Sequence, residues 1–342
     1  MFLRSKTDSK SILAPPHNGE YIVYGWKQSY FTRKLEAALK FYGANFESRR
    51  INEDSSKEIR YRSGTHQIPV LHTSENWMLA DTTPIIMFLD GRFPERRLFP
   101  AGALGVLVHI LEDYFDEWIA RTSVHWRWAY RENHKLLSLD ATGGDLEEAQ
   151  RLVDWGGRVC RATGVSTEIQ QREAENEYLR ILDAAEAQLG GSKFLLGERP
   201  TALDCIVLGG LRAHFNFDPA PKKVITPLYP IAIDWCEHRA DTWDGSGNLA
   251  EFPTSTEFAQ CILKEITKTY KPFLLANRDA LEGNQKAFKV TIYGEDVSYL
   301  TRPYIEQSRQ MTKNHIKHLI PEDDRLLVLS WLDQHGLTDV YA

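Results

Sequence analysis

Residues 67–85 constrain this chain more than any other stretch. Gln67-Ile68-Pro69-Val70 heads an apolar, β-like run, and Ala80-Asp81-Thr82-Thr83-Pro84-Ile85 follows after a short gap. Proline has no N–H and cannot sit in a central ladder, so the backbone beside Pro69 is free to face something other than a neighbouring strand. Asp81-Thr82 has the form of a helix start: polar caps, Pro84 inside the first turn, then Ile85, Ile86 and Leu89 at helical spacing. A strand-opening proline beside an acid-hydroxyl helix N-terminus suits a small peptide that carries a carboxylate.

The flanking sequence builds a unit around this stretch. Glu20 to Gly25 is a β-branched and aromatic run bounded by glycine, which predicts a strand. Ser29 then precedes Phe31, Leu35, Ala38 and Leu39, an apolar stripe that predicts a helix with a hydroxyl near its N-cap. Asn45 to Ile51 alternates weakly as a second strand, and Asp54 to Arg62 is a short polar helix or loop. Ile68 to His72 and Asn76 to Leu79 are short strands, and a helix runs from Thr82 to about Gly91. The order is β-α-β-α-β-β-α.

From about Leu104 the pattern is helical. Leu107, Leu111, Tyr114, Trp118 and His125 recur every three to four residues and predict one long helix to Arg131. Ala141 to Gly144 breaks it. Further helices are predicted from Ser166 to Leu189, from Leu203 to His214, and from Pro227 through Trp235. After a loop at Asp241 to Pro253, helical patterns cover Thr256 to Tyr270, Thr301 to Leu319 and Pro321 to Leu332, with a strand at Ala287 to Tyr293. Gly197-Glu198-Arg199-Pro200-Thr201-Ala202-Leu203-Asp204 contains a capping box in its Asp form: Thr201 and Asp204 satisfy each other's N–H groups at the start of a buried helix.

These landmarks in order resemble the cytosolic glutathione transferase superfamily over about residues 20 to 245. The resemblance implies an α/β thioredoxin-like N-terminal domain (20–95), an all-α C-terminal helical domain (104–245), an N-terminal extension (1–19) and a C-terminal extension (246–342), mainly helical. It implies a cis bond before Pro69, and a main chain at Ile68 that pairs with the cysteinyl part of glutathione, the co-substrate. Asp81 and Thr82 would hold the γ-glutamyl end, with Gln67 alongside. The box at Thr201 and Asp204 matches the family's folding element and belongs to folding rather than catalysis. For activation of the thiol the family's patterns leave Ser29, before the first helix, or Tyr24, inside the first strand, with Tyr30 third. No cysteine lies in this region, which speaks against the chemistry of the cysteine-dependent classes.

The expected activity is transfer of glutathione to a hydrophobic or aromatic electrophile by a homodimer. A catalytically weak glutathione- or ligand-binding protein and a glutathione-dependent lyase or isomerase are the alternatives. Trp118, Arg121, Thr122 and His125, with Trp126 and Tyr130 adjoining, would line the second-substrate pocket, Arg121 and His125 pointing into the cleft between the domains. Glu112, Asp113, Asp116 and Glu117 lack His or Cys at metal-ligand spacing, so a solvated helix face is expected and no metal. A net charge of −6 without a basic run argues against nucleic acid. Four scattered cysteines fit reduced thiols of a cytoplasmic protein. Met1 to Asn18 lacks a signal-peptide core, and no apolar run approaches a membrane span. Nine Trp, fourteen Tyr and fifteen Phe suffice for an aromatic core. The tail offers Tyr299, Tyr304, Met311 and Ile316 for packing, either over the substrate cleft or at a dimer interface.

Overall fold

A computed structural model describes residues 13–342. The part of the N-terminal extension at 1–12 lies outside the described residues. The first unit contains β1 (Glu20–Gly25), α1 (Tyr30–Tyr42), β2 (Asn45–Arg50), α2 (Glu53–Ser63), β3 (Val70–Thr73), β4 (Met78–Ala80) and α3 (Thr82–Arg92). Its sheet has the order β2-β1-β3-β4, with β1 parallel to β2 and antiparallel to β3, and β3 antiparallel to β4. Strand alternation divides β1: Tyr21 and Val23 pack with α1 and α3, whereas Ile22 and Tyr24 pack with Ile59 of α2 on the other face. The register pairs Tyr24 with Val70 and Val70 with Ala80. One residue further, the same register sets Gly25, Pro69 and Asp81 side by side at one end of the sheet. The Ile68–Pro69 peptide is cis.

The rest is largely helical. α4 (Gly102–Asp113) runs through a π-helical stretch, Tyr114–Ile119, into α5 (Ala120–Ala129), so the single long helix expected here carries an internal π segment. α6 (Arg131–Ala141) and α7 (Leu146–Ala162) flank the Gly143-Gly144 break. The sequence patterns do not announce α7, because Gly156-Gly157 weighs against a helix by propensity. A Cβ at Gly156 would meet Trp128 Cδ2 at 2.3 Å, so packing under α5 requires the residue that propensity disfavours. α8 (Glu168–Gly191) and α9 (Ala202–Gly210) follow, then α10 (Pro219–Leu228) and α11 (Pro230–Asp234). Pro227 lies in the last turn of α10, and Pro230 opens the following helix, which corrects the expected start.

Beyond the loop come α12 (Glu257–Glu265), α13 (Lys271–Glu282), a hairpin of β5 (Ala287–Ile292) and β6 (Glu295–Leu300), then α14 (Pro303–His318), α15 (Glu322–Gln334) and α16 (Thr338–Tyr341). Tyr293 and Gly294 both have positive φ, 54° and 77°, the two-residue turn that suits a right-twisted hairpin. Both α14 and α15 pack on α4, so the tail lies against the helical part. Tyr299 and Ile316 of the tail are buried, whereas Tyr304 is 46% exposed.

α9 is buried along its whole length. Its capping box forms as expected: the Thr201 N–H donates to Asp204 Oδ2 at 2.7 Å, and the second carboxylate oxygen accepts from the Leu195 N–H at 3.0 Å. The most extensive helix pairing in the molecule is α1 on α9. Two glycines permit it: a Cβ at Gly209 would lie 2.6 Å from the Tyr30 carbonyl oxygen, and one at Gly210 2.7 Å from the Tyr30 ring. Gly209→Ala forces backbone against backbone, so urea unfolding should show a loss of about 1–3 kcal/mol, the usual cost of overpacking.

Candidate functional site

At the shared end of the sheet, Pro69 is buried, Ile68 is half-buried beyond the β1–β3 ladder, and Gln67 is exposed. Asp81 precedes α3 with φ 75° and ψ 113°, a conformation that strains a residue with a Cβ. It stands at the N-cap position, and its side chain shares a cavity with Tyr304 of α14. Burial raises the Asp81 pKa, and the Tyr304 phenol, the Lys34 ammonium and the Thr83 N–H oppose the shift. Pro84 has no N–H, so at the tip of α3 the groups free of helical bonding are those of Thr82 and Thr83. Asp81, Thr83 and Pro84 line a cavity of about 210 Å³ with Asp116 and Glu117 of the π segment and Tyr304, Gln307, Ser308 and Met311 of α14.

The acidic run beside this cavity is not the solvated face that the sequence suggests. Glu112 and Asp113 are each 2% exposed. Lys34, buried in the middle of α1, pairs with both Glu112 and Asp116 and donates to Thr83 Oγ1 at 2.8 Å. Thr83 passes its own hydroxyl to Glu112 Oε1 at 3.0 Å. Asp113 accepts from Tyr270 at 2.8 Å and from Ser308. Burial pushes Asp113 up to about 6 against those two hydrogen bonds. Burial also raises Glu112, which Lys34 opposes, and Glu117, whose neighbour Asp116 raises it further. One ammonium thus ties α1, α3 and the π segment together. The sequence held one sign of it, a lysine interrupting the apolar face of α1. The other half was hidden because the cation that answers Glu112 and Asp116 lies some eighty positions away on α1.

Ser29 is the N-cap of α1 and is half-buried; its Oγ accepts the Thr32 N–H at 3.3 Å. The turn before it is held from the helical part. Buried Arg127 donates to the Gln28 carbonyl and to the Ala213 carbonyl, each at 2.6 Å, and is neutralised by Asp218 at 3.0 Å. Tyr24 packs on the α2 face of the sheet, its ring 6.2 Å from that of His72, with its phenol raised chiefly by burial. Tyr30 is buried beside His214, and burial followed by the charges of Asp116 and Glu112 holds its phenol well up. Of the three, Ser29 stands at a helix tip with solvent access. Arg127 is a residue that sequence reasoning missed; a charge inside Trp126-Arg127-Trp128 was its only signal.

Trp118, Arg121, Thr122 and His125 fall elsewhere. All four are buried. The Trp118 indole donates to Glu177 at 3.2 Å, and the Arg121 guanidinium lies 3.7 Å from the Trp118 ring centre while donating to Tyr293 at 2.7 Å and to Glu177 at 3.4 Å. His125 meets Glu175 at 2.6 Å, with Tyr130 on the same carboxylate at 2.8 Å. Arg121 and His125, expected in the cleft, therefore point at α8, and Arg121 also meets the tail hairpin. The physical reason is the pair of α8 carboxylates: buried Glu177 demands donors such as Arg121 around it, Glu175 takes His125, and those two interrupt the aromatic stripe. Among the described residues no group of His, Cys, Asp and Glu could hold a metal ion, and no helix is long and apolar enough to cross a membrane.

Two family models match the chain: "Glutathione S-transferase, N-terminal domain" over residues 23–97 and "Glutathione S-transferase, C-terminal domain" over residues 158–240. The chain belongs to the glutathione transferase superfamily. Its architecture is that superfamily's thioredoxin-like sheet unit followed by a helical domain. A search of curated proteins finds no match. Among solved structures, a β-etherase from a Sphingobium strain shares 16% identity over 66% of this chain and 96% of its own, with a TM-score of 0.46. A glutathione S-transferase from Rhodospirillum rubrum shares 18% over 70% and 99%, TM-score 0.45. A rice glutathione transferase in complex with glutathione shares 19% over 67% and 91%, TM-score 0.44.

Lys34→Met leaves Glu112 and Asp116 without their ammonium. Unfolding at neutral pH should show a loss of about 3–5 kcal/mol, as for other half-broken buried pairs. The loss should shrink as pH falls, because a proton on the Glu112 carboxyl removes the uncompensated charge. Denaturant titrations of both proteins at pH 5 and pH 8 measure this.

Proposed function

We propose that this protein binds glutathione across the end of its four-stranded sheet and activates the thiol through Ser29 for attack on a hydrophobic or aromatic electrophile. The observation that carries the reading is the register: it sets Pro69 and Asp81 beside the end of β1, next to the Ser29 tip of α1. Each part of the tripeptide then has a partner of matching chemistry. The main chain of Ile68, beyond the ladder, is free to pair with the cysteinyl unit as an added strand would. The N–H groups at the tip of α3 and the Thr82 hydroxyl suit the γ-glutamyl carboxylate, since a helix start favours an anion. Asp81 suits the α-ammonium, and exposed Gln67 stands alongside.

A thiol of ordinary cysteine type titrates near 8.5, and each unit of lowering corresponds to about 1.4 kcal/mol of thiolate stabilisation. Ser29 accepts the Thr32 N–H and keeps its own hydrogen to donate. A hydroxyl aimed at the sulfur from a helix tip, where the dipole is positive, favours the anion. The thiol proton leaves to solvent, a C–S bond forms at the electrophilic carbon, and the leaving group departs with its bonding pair. Arg127 keeps the Ser29 turn in place through the Gln28 carbonyl. A cytoplasmic homodimer remains part of the proposal.

Ser29→Ala should reduce turnover of an activated aryl halide about a hundredfold, as loss of one anion-stabilising donor does. Its glutathione Kd, read by titration calorimetry, should stay within about threefold, because binding rests on Ile68, Asp81 and Thr82. Tyr24→Phe should keep its turnover. The opposite pair of results would move the chemistry to the phenol.

A further inference from the structure

The wall of the 210 Å³ cavity opposite α3 comes from the tail. Tyr304, Gln307, Ser308 and Met311 follow one another at i, i+3, i+4 and i+7, so a single face of α14 is turned toward Asp81, Thr83 and Pro84. Ser308 on that face donates to Asp113, and the Tyr304 phenol stands at the cavity beside Asp81, whose ionised form it favours. The start of α14 is clamped as well, since Asn277 accepts the Arg302 N–H at 2.8 Å and donates to the Arg302 carbonyl at 3.0 Å. The Asp81 carboxylate has roughly four acceptor positions, so beside the phenol and the Thr83 N–H it keeps capacity for a further donor. Glu117 faces the same cavity and makes no hydrogen bond among the described residues.

We propose that α14 is a built-in wall of the γ-glutamyl pocket, with Tyr304 a positioning residue that holds Asp81 for the α-ammonium of glutathione, so that one chain completes this end of the site. The inference rests on the glutathione reading given above. It assigns the tail a part in ligand recognition, since a carboxylate on a strained backbone has the Tyr304 phenol beside it across the cavity to hold its orientation. Its strength depends on the ammonium: a ligand without that group gains nothing from an oriented Asp81.

The test is calorimetric titration of the full chain and of Tyr304→Phe with two ligands, glutathione and its des-amino analogue, in which the γ-glutamyl unit is replaced by glutaryl. Tyr304 is 46% exposed, so its hydroxyl can be removed without opening the core. The unaltered protein should prefer glutathione by about tenfold, the size of a charge-assisted hydrogen bond. Tyr304→Phe should lose most of that preference while its affinity for the des-amino analogue stays the same. An unchanged preference in Tyr304→Phe overturns the role of the tail and leaves the glutathione reading standing. Tighter glutathione binding by Tyr304→Phe also overturns it, because α14 would then be a plug. Failure of the unaltered protein to bind either ligand overturns both.

Discussion

The approach of α9 to α1, backbone nearly against backbone at Gly209 and against the Tyr30 ring at Gly210, is the constraint on which the rest depends. α1 carries Ser29 at its tip and Lys34 in its middle, so the depth at which it sits against α9 fixes both. A side chain at either glycine would lift α1 from the helical part, moving Ser29 away from the turn that Arg127 holds and Lys34 away from Glu112. Apolar packing supplies the bulk of the attraction here, since α9 is buried over its full length. The glycines supply the distance.

Charge then makes the arrangement specific. Lys34 joins the sheet unit to the π segment, Arg127 joins the turn before Ser29 to α5 and Asp218, and Glu177 gathers Tyr114, Trp118, Arg121, Thr269 and Tyr293. Each is a buried charge that is expensive unless answered. Each therefore admits few alternative packings. The tail takes part in one of these groups, through Tyr293 at Glu177, and Ser308 separately meets buried Asp113, so residues 287–318 are bound into the polar interior as well as the apolar one. The π segment matters here: its changed pitch presents Asp116 to Lys34 and Trp118 to Glu177 from neighbouring positions.

What could be seen in the sequence followed from local chemistry. The strand-turn-helix pieces around Pro69 and Asp81, the hydroxyl cap at Ser29 and the Thr201–Asp204 box depend on residues close in sequence, and their elements stand where the patterns put them. What could not be seen depends on partners far away. Asp81 and Tyr304 are more than two hundred positions apart, and nothing near Asp81 announces a phenol. Glu112 to Glu117 looks like a solvated face because the cation that answers it lies on α1. Arg121 and His125 looked like pocket residues because they interrupt an aromatic stripe, whereas Glu177 and Glu175 on α8 are what they answer. A buried charge has the same sequence signature as a functional one; only the position of its partner separates them.

A crystal structure of the full chain soaked with glutathione tests the central claim most directly. The account predicts the sulfur within hydrogen-bonding distance of Ser29 Oγ, the cysteinyl main chain against Ile68, and the α-ammonium on Asp81 beside α14. Glutathione with its sulfur toward Tyr24, or bound away from the Pro69–Asp81 end of the sheet, would contradict it.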